Sequence, residues 1–152
     1  NVPKNDPRRA ESAALSAALA GAWMQARGIE GQDSVAHCIR AHSYSAGVPC
    51  ETLEARILQD ADRLDALGAI GIARCFNVSG QMGARLAHGE DPRAQARALD
   101  DRAYALDHFE VKLYPIAQTL HTEPARTMAQ ARVAFMRQFV DHFVDEACGP
   151  RR

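Results

Sequence analysis

Nothing in these 152 residues is apolar for long enough to cross a bilayer, since no run approaches the roughly 18 to 20 residues that a span requires. Net charge is nearly absent too. With 18 Lys and Arg against 19 Asp and Glu, the formal charge is −1, so no global field draws nucleic acid or an anionic membrane surface. Neither partner is expected, and any recognition of phosphate must come from a local cluster of basic groups. No C-x-x-C pair or zinc spacing links Cys38, Cys50, Cys75 and Cys148, which therefore read as reduced, mostly buried thiols of a cytoplasmic protein. Signal-peptide, strand and fixed-period repeat patterns are missing as well, although the first residue is Asn1 rather than Met.

What is present is helical periodicity. Hydrophobic content of 47% and charged content of 24% are ordinary for a soluble domain, and the length suits one domain over residues 1–152. After the proline-containing stretch Asn1 to Pro7, an alanine-rich helix is expected up to Arg27. Leu15, Ala18, Leu19, Ala22 and Trp23 share one face of it, and Gly28 is its stop. A shorter helix runs from Asp33, a capping candidate, to His42, with Val35, Cys38, Ile39 and His42 on one face. The loop from Ser43 to Cys50 precedes a helix starting near Thr52, whose core face reads Leu53, Ile57, Ala61, Leu64, Gly68, Gly71 and Cys75. Gly68 and Gly71 each cost about 1 kcal/mol inside a helix, which points to close packing by another element.

From Asn77 to Asp101 the pattern weakens to a long loop, with a helical piece expected around Arg93 to Ala98. Tyr104 to Leu120 predicts a helix with Leu106, Phe109, Leu113, Ile116 and Leu120 inward and an interruption at Pro115. The strongest stripe follows Pro124: Met128, Arg132, Phe135, Met136, Phe139, Val140 and Phe143, ending near Gly149 and Pro150. The fold class is all-α.

The chemistry concentrates in Gln59-Asp60-Ala61-Asp62-Arg63-Leu64-Asp65. Asp60 lies three after Ile57 and four before Leu64, on the face expected to be buried, whereas Asp62 and Asp65 lie toward the flank. An inward carboxylate requires a strong partner, because unpaired burial costs several kcal/mol or forces protonation. An arginine, Arg63 or one from another helix, meets that need as a structural pair; a metal ion meets it as a site. Residue pattern alone leaves both open.

Segments along the chain resemble the HD-domain metal-dependent phosphohydrolases, in particular a small bacterial single-domain subgroup. QDADRLDALGAIGIARCF (59–76) resembles the family's last signature block, VAHCIRAHSYSAG (35–47) the block before it, and LDHFEVKL (106–113) a later helix. NVPKNDPRRAE (1–11) resembles the loop and helix after the family's His-Asp doublet. The resemblance implies an HD-domain-like helical bundle lacking its N-terminal part, and a divalent ion, Mn, Mg or similar, held by a His, a His-Asp pair and a final Asp. The final Asp matches Asp60. The other three ligands are expected upstream of Asn1, and Asp107-His108 has the reverse order in the wrong block.

The implied activity is hydrolysis of nucleotides or related small phosphate esters and anhydrides, with nucleoside triphosphate pyrophosphohydrolysis as its narrower form. Asp60 and His42 are then the catalytic candidates. Lys4, Arg63 and Lys112 are the candidates for phosphate oxygens, with a plain solvated charge as the alternative for each. His37 reads as structural or as a support behind the site residues, and His88, His121 and His142 as surface. A small phosphorylated substrate is the implied partner, and a homodimer a further expectation. The competing readings are a helical binding or assembly module without its own metal centre, and an unrelated helical regulator whose aspartate-rich helix is a salt-bridged core.

Overall fold

The computed structural model describes residues 8, 11–42 and 47–148. Among them six α-helices form: α1 (Ser12–Gln25), α2 (Gln32–His42), α3 (Leu53–Leu64), α4 (Gly68–Gln81), α5 (Tyr114–Ala117) and α6 (Glu123–Cys148). A π-helical turn, Phe109–Leu113, runs directly into α5. Among the described residues the sole β feature is a parallel bridge between Arg85 and Tyr104, so the protein is all-α, as the missing strand pattern required. No helix among them is long and apolar enough to cross a membrane. The chain divides into two compact units, Asn1–Asp62 and Arg63–Arg152.

In the first unit α1 ends as its sequence predicts. Gly28 adopts a left-handed φ of 65°, and the Ile29 amide closes on the Met24 carbonyl at 3.0 Å. The buried side chains of α1 are Ala17 and Met24, while Leu19 is 72% and Trp23 53% exposed, so the expected inward face is corrected. Trp23 instead lies under the Arg27 guanidinium, 4.2 Å from its ring centre, a contact two exposed groups can make at i,i+4 spacing. The start of α2 shifts by one residue, which leaves Asp33 in its first turn, where a carboxylate favours the helix dipole. Thr52 caps the start of α3, its hydroxyl accepting from the Ala55 amide at 3.2 Å.

The inward face of α3 also differs from the expected one. Ala55, Gln59, Asp60 and Leu64 are buried, whereas Leu53 is 60% and Ile57 52% exposed. Steps of four, from 55 to 59 and from 60 to 64, define this face. Weighting by side-chain size selects the wrong side of the helix, although it still places Asp60 correctly.

The single helix expected from Thr52 to Cys75 is two helices in the structure. The turn between them closes through the Ala66 amide on the Arg63 carbonyl and the Leu67 amide on the Leu64 carbonyl. Gly68 then takes a φ of 73°, a conformation costly for any side chain, and restarts the chain as α4. The two glycines do permit close approach. A Cβ on Gly68 would meet Arg132 Cγ at 3.1 Å, and one on Gly71 would meet the Ala66 carbonyl oxygen at 2.1 Å.

The core of the second unit gathers Leu67, Ile72, Leu106, Phe109, Leu113, Met136, Val140 and Val144, with Phe76, Phe139 and Phe143 packed on it. Leu106, Phe109, Leu113, Ile116 and Leu120 are all buried, as their spacing predicts, even though a π-turn replaces the regular helix. Pro115 follows the π-helical turn directly and lies in the first turn of α5, where it has no N–H to donate to the preceding turn. In α6 Met128 and Phe135 are each 47% exposed, and Ala125 and Ala129 take the inward places instead.

The stretch from 82 to 106 holds no helix, including the piece expected at Arg93 to Ala98. Side chains order it. The Asp91 carboxylate accepts from the Gln95 and Ala96 amides at 2.9 and 2.8 Å, and these bonds hold its pKa below the usual carboxylate range. Nδ1 of His88 accepts from the Asp91 amide at 3.0 Å, and its ring meets Tyr104 edge-on, so His88 organises the loop and is not a plain surface residue.

Candidate functional site

A helix leaves its last carbonyls without intrahelical donors. At the end of α2 the Ala41 carbonyl receives Nε2 of Gln59, from α3, at 2.7 Å, and the Cys50 thiol approaches the same oxygen at 3.8 Å. Ala41 is 0% and Gln59 5% exposed, so this bond lies out of water, where losing a partner costs most. The connection between the helices is pinned as well. The Glu51 amide donates to Nε2 of His37 at 3.2 Å, and Arg56 Nε donates to the Cys50 carbonyl at 3.2 Å. His37 thus fastens the α2–α3 connection.

These ties set two neighbours in place. Asp60 follows Gln59 and is 2% exposed, while Asp62 and Asp65 are exposed. Asp65 pairs at the surface with Arg74. His42 follows Ala41 and is half-buried, with Nδ1 2.6 Å from the Ile39 carbonyl. A carbonyl only accepts, so Nδ1 carries a proton, and in the neutral ring Nε2 presents a lone pair. The sequence pattern did not single out Gln59. Its signal is a polar side chain four residues after the small Ala55, on the same buried stripe as the aspartate.

Burial of Asp60 is what both of its readings require, the metal ligand and the ion-paired core carboxylate alike. Among the described residues no group of three or more His, Cys, Asp or Glu side chains converges to hold a metal ion. Asp60 fits the part of one hard oxygen donor, and the described residues do not make up a complete ligand set. Lys4 lies outside the described residues, as do the expected loop residues 43–46.

Arg63 and Lys112 belong to the second unit. Arg63 donates through NH1 to the Thr119 carbonyl, and Lys112 projects outward from the π-turn between buried Phe109 and Leu113. The second unit also holds a buried carboxylate whose partner is plain. Asp107, 1% exposed, receives NH1 and NH2 of Arg97 at 2.6 and 2.7 Å and the Asp100 amide at 2.7 Å. Burial pushes its pKa up, but the guanidinium and the amide outweigh that and hold it below the usual range. His108 pairs with Asp101 at 2.9 Å. The reversed Asp107-His108 pair is thus built into the loop by two separate contacts.

No protein-family model matches the chain. Bacillus subtilis YpgQ is 38% identical over 118 residues, which make up 74% of this chain and 51% of YpgQ. The chain thus spans about half the length of the curated relative it matches. The crystal structure of YpgQ in complex with ADP aligns with a TM-score of 0.69 at 31% identity, covering 88% of this chain and 64% of that one. A Bacillus thuringiensis HD-superfamily hydrolase aligns with a TM-score of 0.64 at 32% identity, over 84% of this chain and 60% of that one. For Listeria innocua Lin1889 the TM-score is 0.73 at 31% identity, over 92% of this chain and 70% of Lin1889. Spanning more than two thirds of Lin1889 at that identity, the chain belongs to the same protein family and shares the all-α fold of the HD-superfamily hydrolase.

Proposed function

We propose that the chain is the C-terminal part of one HD-type, metal-dependent phosphohydrolase domain. Its substrates are nucleotides or related small phosphate compounds, and nucleoside triphosphate pyrophosphohydrolysis is the narrower form of the reading. The observation that carries it is Asp60, whose carboxylate is 2% exposed at the position matching the family's final acidic ligand. The residue before it is tied to the residue before His42. Two likenesses support the reading: one relative of similar fold is an HD-superfamily hydrolase, and another, YpgQ, has been crystallised with ADP.

The remaining ligands, a His and a His-Asp doublet, are expected upstream of Asn1. A divalent ion in such a site supplies Lewis acidity and a bound water of lowered pKa. The chain's own contributions are more limited. Asp60 offers an oxygen donor held out of bulk water. His42, fixed through Nδ1, offers Nε2 to accept a proton or hydrogen bond from a water or a phosphate hydroxyl. Lys4 is the candidate for a phosphate oxygen on its sequence position. The same role for Arg63 and Lys112 rests on sequence alone.

The test uses protein that includes the upstream residues, as wild type and as Asp60→Asn. Metal content and hydrolysis of nucleoside di- and triphosphates are measured with Mn²⁺ and Mg²⁺. Loss of bound metal with at least about a 100-fold fall in turnover, and unchanged helical circular dichroism, is expected. Turnover within a few-fold of wild type would refute the assignment. Finding neither metal nor hydrolysis in the wild type would favour a binding or assembly module instead.

A further inference from the structure

A helix without charged residues on any side is ordinarily enclosed by other elements. The 14 residues of α1, SAALSAALAGAWMQ, include no Asp, Glu, Lys or Arg, yet only Ala17 and Met24 among them are buried. α1 packs on α2, and these two residues mark its inner side. On the other side Leu15, Leu19, Trp23 and Ala26 follow at steps of four, four and three, which makes them one stripe. Leu19 is 72% and Trp23 53% exposed, and the Arg27 guanidinium extends the stripe by lying over the Trp23 ring. Tryptophan and arginine are enriched among the residues that anchor protein interfaces.

The charges that bracket the stripe select its occupant. Glu11 precedes α1 and makes no capping bond to it, and Arg27 follows it; each lies eight residues from Leu19, roughly 12 Å along the axis. Farther out the signs reverse, with Arg8 at one end and Glu30 at the other, each eleven residues from Leu19. A copy of the same helix laid antiparallel, with a two-fold axis at Leu19, sets Glu11 toward the partner's Arg27 and Arg8 toward the partner's Glu30. It also sets Leu15 against the partner's Trp23. A parallel copy would set like charges side by side.

We propose that this face of α1 joins two copies of the chain in an antiparallel, two-fold symmetric pair. Leu19 packs on its own counterpart at the axis. Burial of the leucine and tryptophan stripe supplies the attraction, and the charges at its two ends fix direction and register.

No metal or substrate enters the experiment, which separates it from the hydrolase reading. Sedimentation equilibrium of the chain should show a monomer–dimer equilibrium with a Kd below about 100 µM. Trp23 is the single tryptophan, so its emission should shift to shorter wavelength over the same concentration range. Leu19→Glu, at an exposed residue, places two carboxylates together at the axis and should weaken the dimer at least about tenfold with the helical spectrum kept. Glu11→Arg should weaken it at least about threefold, and adding Arg27→Glu to that variant should recover most of the loss. A chain still monomeric at about 1 mM, a mass that grows past the dimer, or a dimer without the Trp23 shift overturns the proposal. Undiminished dimerisation of Leu19→Glu, or a double swap no tighter than Glu11→Arg, overturns it as well. So does a protein extended upstream of Asn1 that is monomeric with its Trp23 emission already at the shorter wavelength, which would assign the face to the added segment.

Discussion

Adding one methyl group at two glycines of α4 should move stability in opposite directions. At Gly71 the new Cβ would lie 2.1 Å from the Ala66 carbonyl oxygen and 2.4 Å from its carbon, roughly 1 Å closer than real Cβ contacts go. The obstacle is backbone, so no rotamer change relieves it. Nor does the turn have slack: two hydrogen bonds close it, Leu67 is 1% exposed beneath it, and Arg132 donates to the Leu64 carbonyl. Overpacking of this kind costs about 1–3 kcal/mol, and a backbone obstacle argues for the upper end. The better helix propensity of alanine offsets about 1 kcal/mol, so the net loss for Gly71→Ala is about 2 kcal/mol. A Cβ at Gly80 meets nothing within 4 Å, which leaves only the propensity gain of about 0.5–1 kcal/mol. At about 2–4 °C per kcal/mol, Gly71→Ala should lower the thermal midpoint by about 4–8 °C and Gly80→Ala should raise it slightly. Circular dichroism melts of the three proteins decide the matter. A Gly71→Ala protein as stable as wild type would show that the helix junction is not held by this contact.

The same sensitivity to position applies to phenylalanine. Phe109, 1% exposed and within 6.3 Å of the rings of Phe76, Tyr114 and Phe139, should cost about 3–5 kcal/mol as Phe109→Ala, whereas Phe135→Ala, at a residue 47% exposed, should cost under about 1 kcal/mol in urea titrations. The depressed pKa of Asp107 gives a pH dependence of known sign. Its contribution is complete above the unfolded carboxylate value of about 3.9 and is lost as the pH falls through the lower folded value, so the stability gap between wild type and Asp107→Asn should close in acid, and a gap constant down to about pH 2 would contradict the pairing with Arg97.

Periodicity made the helices legible wherever one face is uniformly apolar. The inward set from Leu106 to Leu120 is correct even though part of that segment is a π-turn, because burial depends on which side chains point inward and tolerates a local change of winding. Size misled where the buried positions are small or polar. Leu53, Ile57, Leu19 and Trp23 are bulky apolar residues and lie largely exposed, while Ala17, Ala55 and Gln59 are inside. The break before Gly68 was hidden for another reason. A glycine with positive φ and a glycine crowded by a neighbouring carbonyl leave the same mark in a sequence, and only coordinates separate a junction from a packing notch. The order of the 82–106 stretch comes from single side chains bonding to nearby amides, which produces no period at all.

Asp60 was legible because a lone acid on an inward face is conspicuous, but the bond made by its neighbour was not. Gln59 ties α3 to the end of α2, and the structure indicates how to test that tie. Gln59→Leu keeps the volume and the helix propensity while removing the donor to the Ala41 carbonyl, which among the described residues is left with only the distant Cys50 thiol. A buried acceptor so deprived costs about 1–3 kcal/mol, and the last turn of α2 can recover it only by opening to water. The cost should therefore appear locally. Amide hydrogen exchange over residues 38–42 should quicken at least about fivefold in Gln59→Leu, as an opening energy lowered by about 1 kcal/mol requires, while exchange across α1 stays as in wild type. If the α2 terminus exchanges at its wild-type rate, the Gln59 bond does not hold the end of that helix.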